Sequence, residues 1–274
     1  MFAFNRLLSL NPFRAKAAAF HDFDRMLNWR LLRGSHVFPG PDGGTCINEA
    51  AIIAAGHPYR PVRSIEDCPK SFSRPMAAYA LFLNDLIEWD SLRNSVLMPF
   101  VTRLEGSADE AEVEKKRAEL IVLRTASTVF SSALTYHGLF EAAGKLRKLE
   151  TPDDLMRVAQ GLFGSREKRS DMPTLWMTQA LAELVEAARA CTRGDLATAA
   201  KSAAIATGNI AQGMQRTSVR RGHRALARVY REAREILAAA LKLGKADSLD
   251  IGLAVERLAK AKRAAAPGCL APVL

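Results

Sequence analysis

Aromatic side chains are scarce in this chain of 274 residues, at 7% of the total. Its four cysteines, Cys46, Cys68, Cys191 and Cys269, form no Cys-x-x-Cys pair and no regular framework. A chain of this length buries enough surface to fold without disulfides, so the cysteines are expected as free thiols in a reducing compartment. No apolar run approaches the roughly 20 residues that a membrane-spanning helix needs. Also missing are a Walker-type phosphate loop, GxGxxG, HExxH and GxSxG, so no motif points to a nucleotide enzyme, a zincin or an α/β-hydrolase. Long segments contain neither glycine nor proline while alanine is abundant. Alanine has the highest helix propensity of all residues, and the expected fold class is all-α.

The first 21 residues carry Arg6, Arg14 and Lys16 and no acid, with Phe2, Phe4, Leu7, Leu8, Leu10 and Phe13 interspersed. Arg6 and the Asn11-Pro12 pair interrupt any signal-peptide apolar core. The expectation is a short amphipathic arm docked on its own domain, the alternatives being an organellar transit peptide or a membrane-surface segment.

The net charge of +10 is unevenly spread. Residues 193–263 hold 15 Lys and Arg against 6 Asp and Glu, a net +9, whereas residues 1–192 hold 24 against 23, a net +1. The centre of this excess is Thr217 to Leu243. At about 100° per residue, Arg220, Arg224, Arg228, Arg231 and Arg234 share one helix face, with Arg221 at its margin. Leu226, Val229, Tyr230, Ala233, Ile236 and Leu237 share the opposite face. One side can pack on a core while the other presents guanidinium groups, whose planar fork suits phosphate and carboxylate. Glu232 and Glu235 lie nearby, so a solvated, salt-bridged face explains the same pattern.

Along the chain, residues 13–33 are expected as a helix stopped by Gly34, followed by the Gly- and Pro-rich run Gly34 to Gly44. Thr45 is the expected cap of a short apolar helix ending at Gly56, with Cys46 in its first turn. Further helices are expected from Ser73 to about Asp85, over 91–104, and over 109–149 as one long helix or two. Thr151-Pro152-Asp153-Asp154 is a helix start. A basic loop at Gly164–Pro173 precedes helices near 174–192 and 195–212, joined at Arg193-Gly194-Asp195. The basic helix and one at about 248–264 complete the bundle. A soft boundary near residue 108 separates a compact, loop-rich N-terminal part (1–108) from a C-terminal helical bundle (109–274).

Two constellations are candidates for chemistry. Cys46, near a helix N-terminus that lowers a thiol pKa, has His36 or His57 as a candidate base, with Asn48, Glu49 or Asp67 to orient it. The sequence signature of a papain-like nucleophile is absent around it. His36, Cys46, His57 and Cys68 have the ligand types of a zinc site but spacings that match no ligand knuckle, so neither metal nor cofactor is expected. Asp67, Arg74, Tyr79 and Asp85 form a third group, expected as an ion-pair network or a grip on a partner's carboxylate or phosphate.

The stretch Gly44-Thr-Cys-Ile-Asn-Glu-Ala-Ala-Ile-Ile-Ala-Ala-Gly56 is followed by Tyr59-Arg60, Asp67-Cys-Pro69, Phe72-Ser-Arg74, Ala78-Tyr79-Ala80, Leu83-Asn-Asp85 and Pro99-Phe-Val-Thr-Arg-Leu104. Together these resemble an uncharacterised bacterial protein family over about residues 28–110. Family members often carry Cys-Pro-x-Cys where this chain has Cys68-Pro69-Lys70-Ser71, which weakens a metal or redox role. The resemblance implies a bacterial, cytoplasmic protein and brings no activity with it.

The functional expectation is a non-enzymatic interaction protein whose Arg220–Arg234 face binds nucleic-acid backbone without sequence specificity. The alternatives are an adaptor or scaffold, self-associating or not, that binds an acidic protein surface through the same face, and a thiol enzyme centred on Cys46.

Overall fold

The computed structural model describes residues 29–35, 44–163, 175–217, 222–244 and 248–264. These residues are predominantly helical, with one isolated parallel bridge between Leu31 and Thr45 and no strand among them. The helices are α1 (Ile47–Ala55), α2 (Arg74–Leu86), α3 (Asp90–Leu97), α4 (Ala111–Arg124), α5 (Ser131–Tyr136), α6 (Phe140–Leu146), α7 (Pro152–Phe163), α8 (Leu175–Arg193), α9 (Leu196–Thr217), α10 (Gly222–Leu241) and α11 (Ile251–Ala264). Short 3-10 turns lie at Ile65–Asp67 and Met98–Phe100, and a π-helical segment, Thr125–Phe130, joins α4 to α5. No described helix is long and apolar enough to cross a membrane.

Helix α9 is the axis of the bundle. It packs against α2, α4, α8, α10 and the π segment. Its sequence makes this crowding feasible: Ala199, Ala200, Ala203, Ala204, Ala206 and Ala211 are buried along it. Helix separation is set by the side chains at the contact, so alanine brings neighbouring backbones close. Two glycines carry the tightest approaches. A Cβ on Gly208 would lie 2.9 Å from a Leu86 methyl carbon, and one on Gly213 would lie 2.1 Å from the Trp176 ring.

The N-terminal part is joined to the bundle rather than set apart from it. One continuous cluster of buried side chains runs from Trp29 and Ile47 through Met76 and Leu83 to Leu184, Ile210 and Leu258. Helix α11 returns to pack on α1, where the Arg257 guanidinium donates to the Ala54 carbonyl at 3.0 Å. That places a cation at the C-terminal, negative end of α1. Gly56 is favoured there by its left-handed φ of 84°, and the Arg257 guanidinium packs close beside it.

Two buried arginines act as hubs for backbone carbonyls. Arg93 donates to the carbonyls of Asn84, Leu31 and Ile87 and to Asp90. Residues 29–33, expected at the end of a helix, are non-helical instead, with a bridge at Leu31 and a bend at Arg33. Their backbone partners are tertiary: Leu31 N–H donates to Asn94 at 2.9 Å, Leu32 N–H to the Thr45 carbonyl at 2.8 Å, and the Leu32 carbonyl accepts from Asn84 at 2.8 Å. The remainder of that expected helix, most of the Gly/Pro run and the basic loop after α7 lie outside the described residues.

Arg117 is the second hub. Its side chain is fully buried and donates to Glu114 at 2.8 Å, to the Ser107 carbonyl, and to the Ala240 carbonyl at the end of α10 at 3.3 Å. Asp109 lies 3.8 Å away, and Glu114 also accepts from Ser73 at 2.6 Å, ahead of α2. The start of α2, the turn at 107–110, α4 and the end of α10 are thereby tied to one guanidinium. Removing one partner of a buried charge pair leaves the others desolvated and unpaired. Arg117→Met is therefore expected to lower unfolding stability by about 3–5 kcal/mol, read as a fall in the urea midpoint with an unchanged slope.

Candidate functional site

The amphipathic helix α10 exists and is oriented by its apolar stripe. Leu226, Val229, Tyr230, Ala233, Ile236 and Leu237 are buried, and the Tyr230 hydroxyl donates to the Leu86 carbonyl at 3.0 Å. The His223 ring packs at a tilt against Trp89, 4.7 Å between ring centroids, near the start of the helix. With that side committed to the core, Arg224, Arg228 and Arg231 are exposed. They span an arc of about 60° and form no ion pair with any described residue. Arg234 does not belong with them. It is mostly buried, at 20% side-chain exposure, and pairs with Glu235 at 3.1 Å. Arg220 and Arg221 lie outside the described residues.

The arginines border an open groove that the sequence pattern does not anticipate. It encloses about 230 Å³ between α10 and the segment from the π turn to α5. Val129, Ala133, Met214, Ala225 and Val229 form its apolar lining; Arg224, Arg228, Glu232, Ser132 and Tyr136 form its rim. Tyr136 is 54% exposed. Its ring meets His137 edge-on at 5.3 Å, and His137 in turn meets Trp176 at 5.6 Å, so the tyrosine is braced from behind. Burial lowers the His137 pKa; the cations that line the groove itself are Arg224 and Arg228.

The π segment has a local cause. In Thr125-Ala-Ser-Thr-Val-Phe-Ser-Ser132 the hydroxyls compete for helix carbonyls. Thr125 donates to Ile121 at 2.7 Å, Thr128 to Arg124 at 2.7 Å, Ser131 to Ser127, and Thr135 to Ser131 at 2.8 Å. Such back-bonding loosens and bends a helix. A π turn widens it, a feature frequent at functional sites. Here the widened turn supplies Val129 to the groove. The clustering of hydroxyl residues in an apolar helix is the one signal in the sequence that points to this spot.

The thiol constellation is placed differently from its expectation. Helix α1 begins one residue later than expected, so Cys46, not Thr45, is the cap. Thr45 is already engaged, with its N–H on the Arg30 carbonyl and its hydroxyl accepting from Trp29 at 3.0 Å. Cys46 Sγ accepts from Glu49 N–H at 3.4 Å, and Glu49 Oε2 accepts from Cys46 N–H at 2.9 Å, a reciprocal capping box with sulfur in the usual place of a hydroxyl. Glu49, also buried, accepts further from Ser35 at 2.9 Å and Val62 N–H at 3.0 Å. Burial, reinforced by the Glu49 carboxylate, pushes the Cys46 thiol well above its ordinary value. His57 lies beyond the far end of α1, bonded to Glu105 at 3.0 Å, a carboxylate that also accepts from Ser71 at 2.9 Å. His36 lies outside the described residues. Cys68 is buried and pushed up to about 12 by desolvation. Among the described residues no three His, Cys, Asp or Glu side chains gather as a metal site would require.

The third group is likewise dispersed into structural roles. Arg74 donates to the Ile65 and Cys68 carbonyls at 2.6 and 3.1 Å, and Asp67 accepts from the N–H groups of Arg63 and Ser64. Asp85 accepts from Gly34 N–H at 2.9 Å, and Tyr79 is buried.

No protein-family model, curated protein or solved structure matches the chain. The burial of Cys46 and its raised pKa set a direct expectation. Under native conditions at pH 8 the Cys46 thiol resists iodoacetamide and becomes alkylated only in denaturant, as followed by peptide mass spectrometry. Rapid native alkylation at Cys46 would contradict this placement.

Proposed function

We propose that this chain is an interaction protein that binds an acidic protein surface through the arginine face of α10, in a bacterial cytoplasmic setting. The observation that carries the reading is the pairing of Arg224, Arg228 and Arg231, exposed and free of ion pairs among the described residues, with an open apolar groove on the same flank. Protein surfaces supply carboxylates and apolar side chains together; interface cores are apolar and their rims charged. Arginine is among the residues enriched at such sites.

Nucleic-acid backbone is the second reading, favoured by the same three arginines and by the net +9 of residues 193–263. One feature weighs against it: the groove beside the arginines is lined by apolar side chains, which a phosphate backbone leaves unfilled and a protein side chain fills.

Selection of a random 16-residue peptide display library on the immobilised full chain tests the proposal. A triple charge reversal, Arg224→Glu/Arg228→Glu/Arg231→Glu, serves as the control surface, and single- and double-stranded 20-mer oligonucleotides are titrated in parallel across salt. The expected result is enrichment of Asp- and Glu-bearing peptides whose affinity falls about tenfold or more on charge reversal. Tighter oligonucleotide binding with a steep salt slope would replace this reading with the nucleic-acid one. Enrichment indifferent to charge reversal would remove the arginine face from either.

A further inference from the structure

The groove beside the arginines is too apolar to be an incidental part of a charged surface, and its charges are ordered along its length. Arg224 and Arg228 stand one helical turn apart on its rim, and Glu232 stands one turn further along the same helix. At 1.5 Å per residue the rim reads positive, positive, negative in steps of about 6 Å. The floor beneath these rim charges is Val129, Ala133, Ala225 and Val229, with Met214 alongside. Tyr136 faces the solvent opening, and Phe140, one short turn beyond, is 67% exposed.

We infer that the groove receives the apolar face of an acidic amphipathic helix from a partner protein. One or two aliphatic or aromatic anchors enter between α5 and α10, and carboxylates one turn apart lie against Arg224 and Arg228. This rests on the reading of α10 as a docking face for an acidic protein and specifies the segment that docks. Three features of the groove support it. A linear cleft between two helical walls matches the i, i+3, i+4 spacing at which a helix presents side chains to one side. Two guanidiniums without counter-ions among the described residues complement acids at the same one-turn spacing. Glu232 makes the ends of the groove unequal, so a helix with its acids toward Arg224 is accepted and the reversed one meets like charge. Methionine on the floor adds a side chain that adapts to anchors of different shape.

The test uses peptides enriched on the full chain, synthesised with a fluorescent label and titrated by anisotropy. Enriched sequences are expected to carry Leu, Ile, Met or Phe at i and i+3 or i+4 with Asp or Glu interleaved. Replacing the anchors by Ser should weaken binding about tenfold or more, as should filling the groove with Ala225→Phe. Glu232→Arg should tighten binding several-fold and relax the preference for one helix direction. If Ala225→Phe does not fold by circular dichroism, Ser132→Trp on the groove rim makes the same test. Anchor-free acidic peptides binding as tightly as anchored ones would overturn the groove inference and leave the arginine-face reading standing. Groove-filling variants that bind the selected peptides undiminished would overturn it in the same way. Failure of every acidic peptide to bind would remove both.

Discussion

Helix α9 is surrounded on most of its circumference, and this is feasible because most of the residues it buries are alanine, glycine and small hydroxyl residues, with Ile210 and Met214 the larger ones. Five segments converge on it, and at two positions they come closer than any side chain would allow. At Gly213 the Trp176 ring occupies the space a Cβ would need; at Gly208 a Leu86 methyl does so. Close packing of this kind responds to a single added methylene. The position of α10, and therefore the direction its arginines face, follows from where α9 allows it to lie.

The second constraint is electrostatic and local. Arg93 and Arg117 are fully buried in a protein whose other charges lie mostly at the surface. Each gathers backbone carbonyls from separate segments, together with one or two carboxylates. Buried arginine is tolerable when its planar array of donors is nearly filled. These hubs tie separate backbone segments of a loop-rich N-terminal part together, and Arg117 does so while fixing the end of α10. The groove and the arginine face are thus held from both ends: by Trp89 packed against His223, and by the Ala240 carbonyl on Arg117.

The all-α class, most helix positions and the amphipathic character of α10 were legible from composition and periodicity. Thr151 and Asp154 cap α7 in the reciprocal way the residue types predict, with the Asp154 carboxyl held below its ordinary range first by the Thr151 hydrogen bonds. Departures came where tertiary partners overrode local preference. Residues 29–33 are non-helical, and Asn84, Asn94, Arg93 and Thr45 complete their hydrogen bonds. The cap of α1 moved to Cys46 because Thr45 is committed to Trp29 and the bridge with Leu31.

The candidate site divides along the same line. Sequence alone determined that a positively charged stripe would stand opposite an apolar one on α10, because a 3.6-residue period leaves no other arrangement for those residues in a helix. It equally determined that α9 would be thin, since alanine and glycine have little volume in any fold. Only the tertiary structure decided that Arg224, Arg228 and Arg231 stay unpaired among the described residues while Arg234 turns to Glu235. Only the tertiary structure opened an apolar groove beside them, because a groove is the space between two helices and belongs to neither sequence segment. The same holds for Cys46, a residue whose chemistry on paper is nucleophilic and whose burial under Glu49 makes it a helix cap.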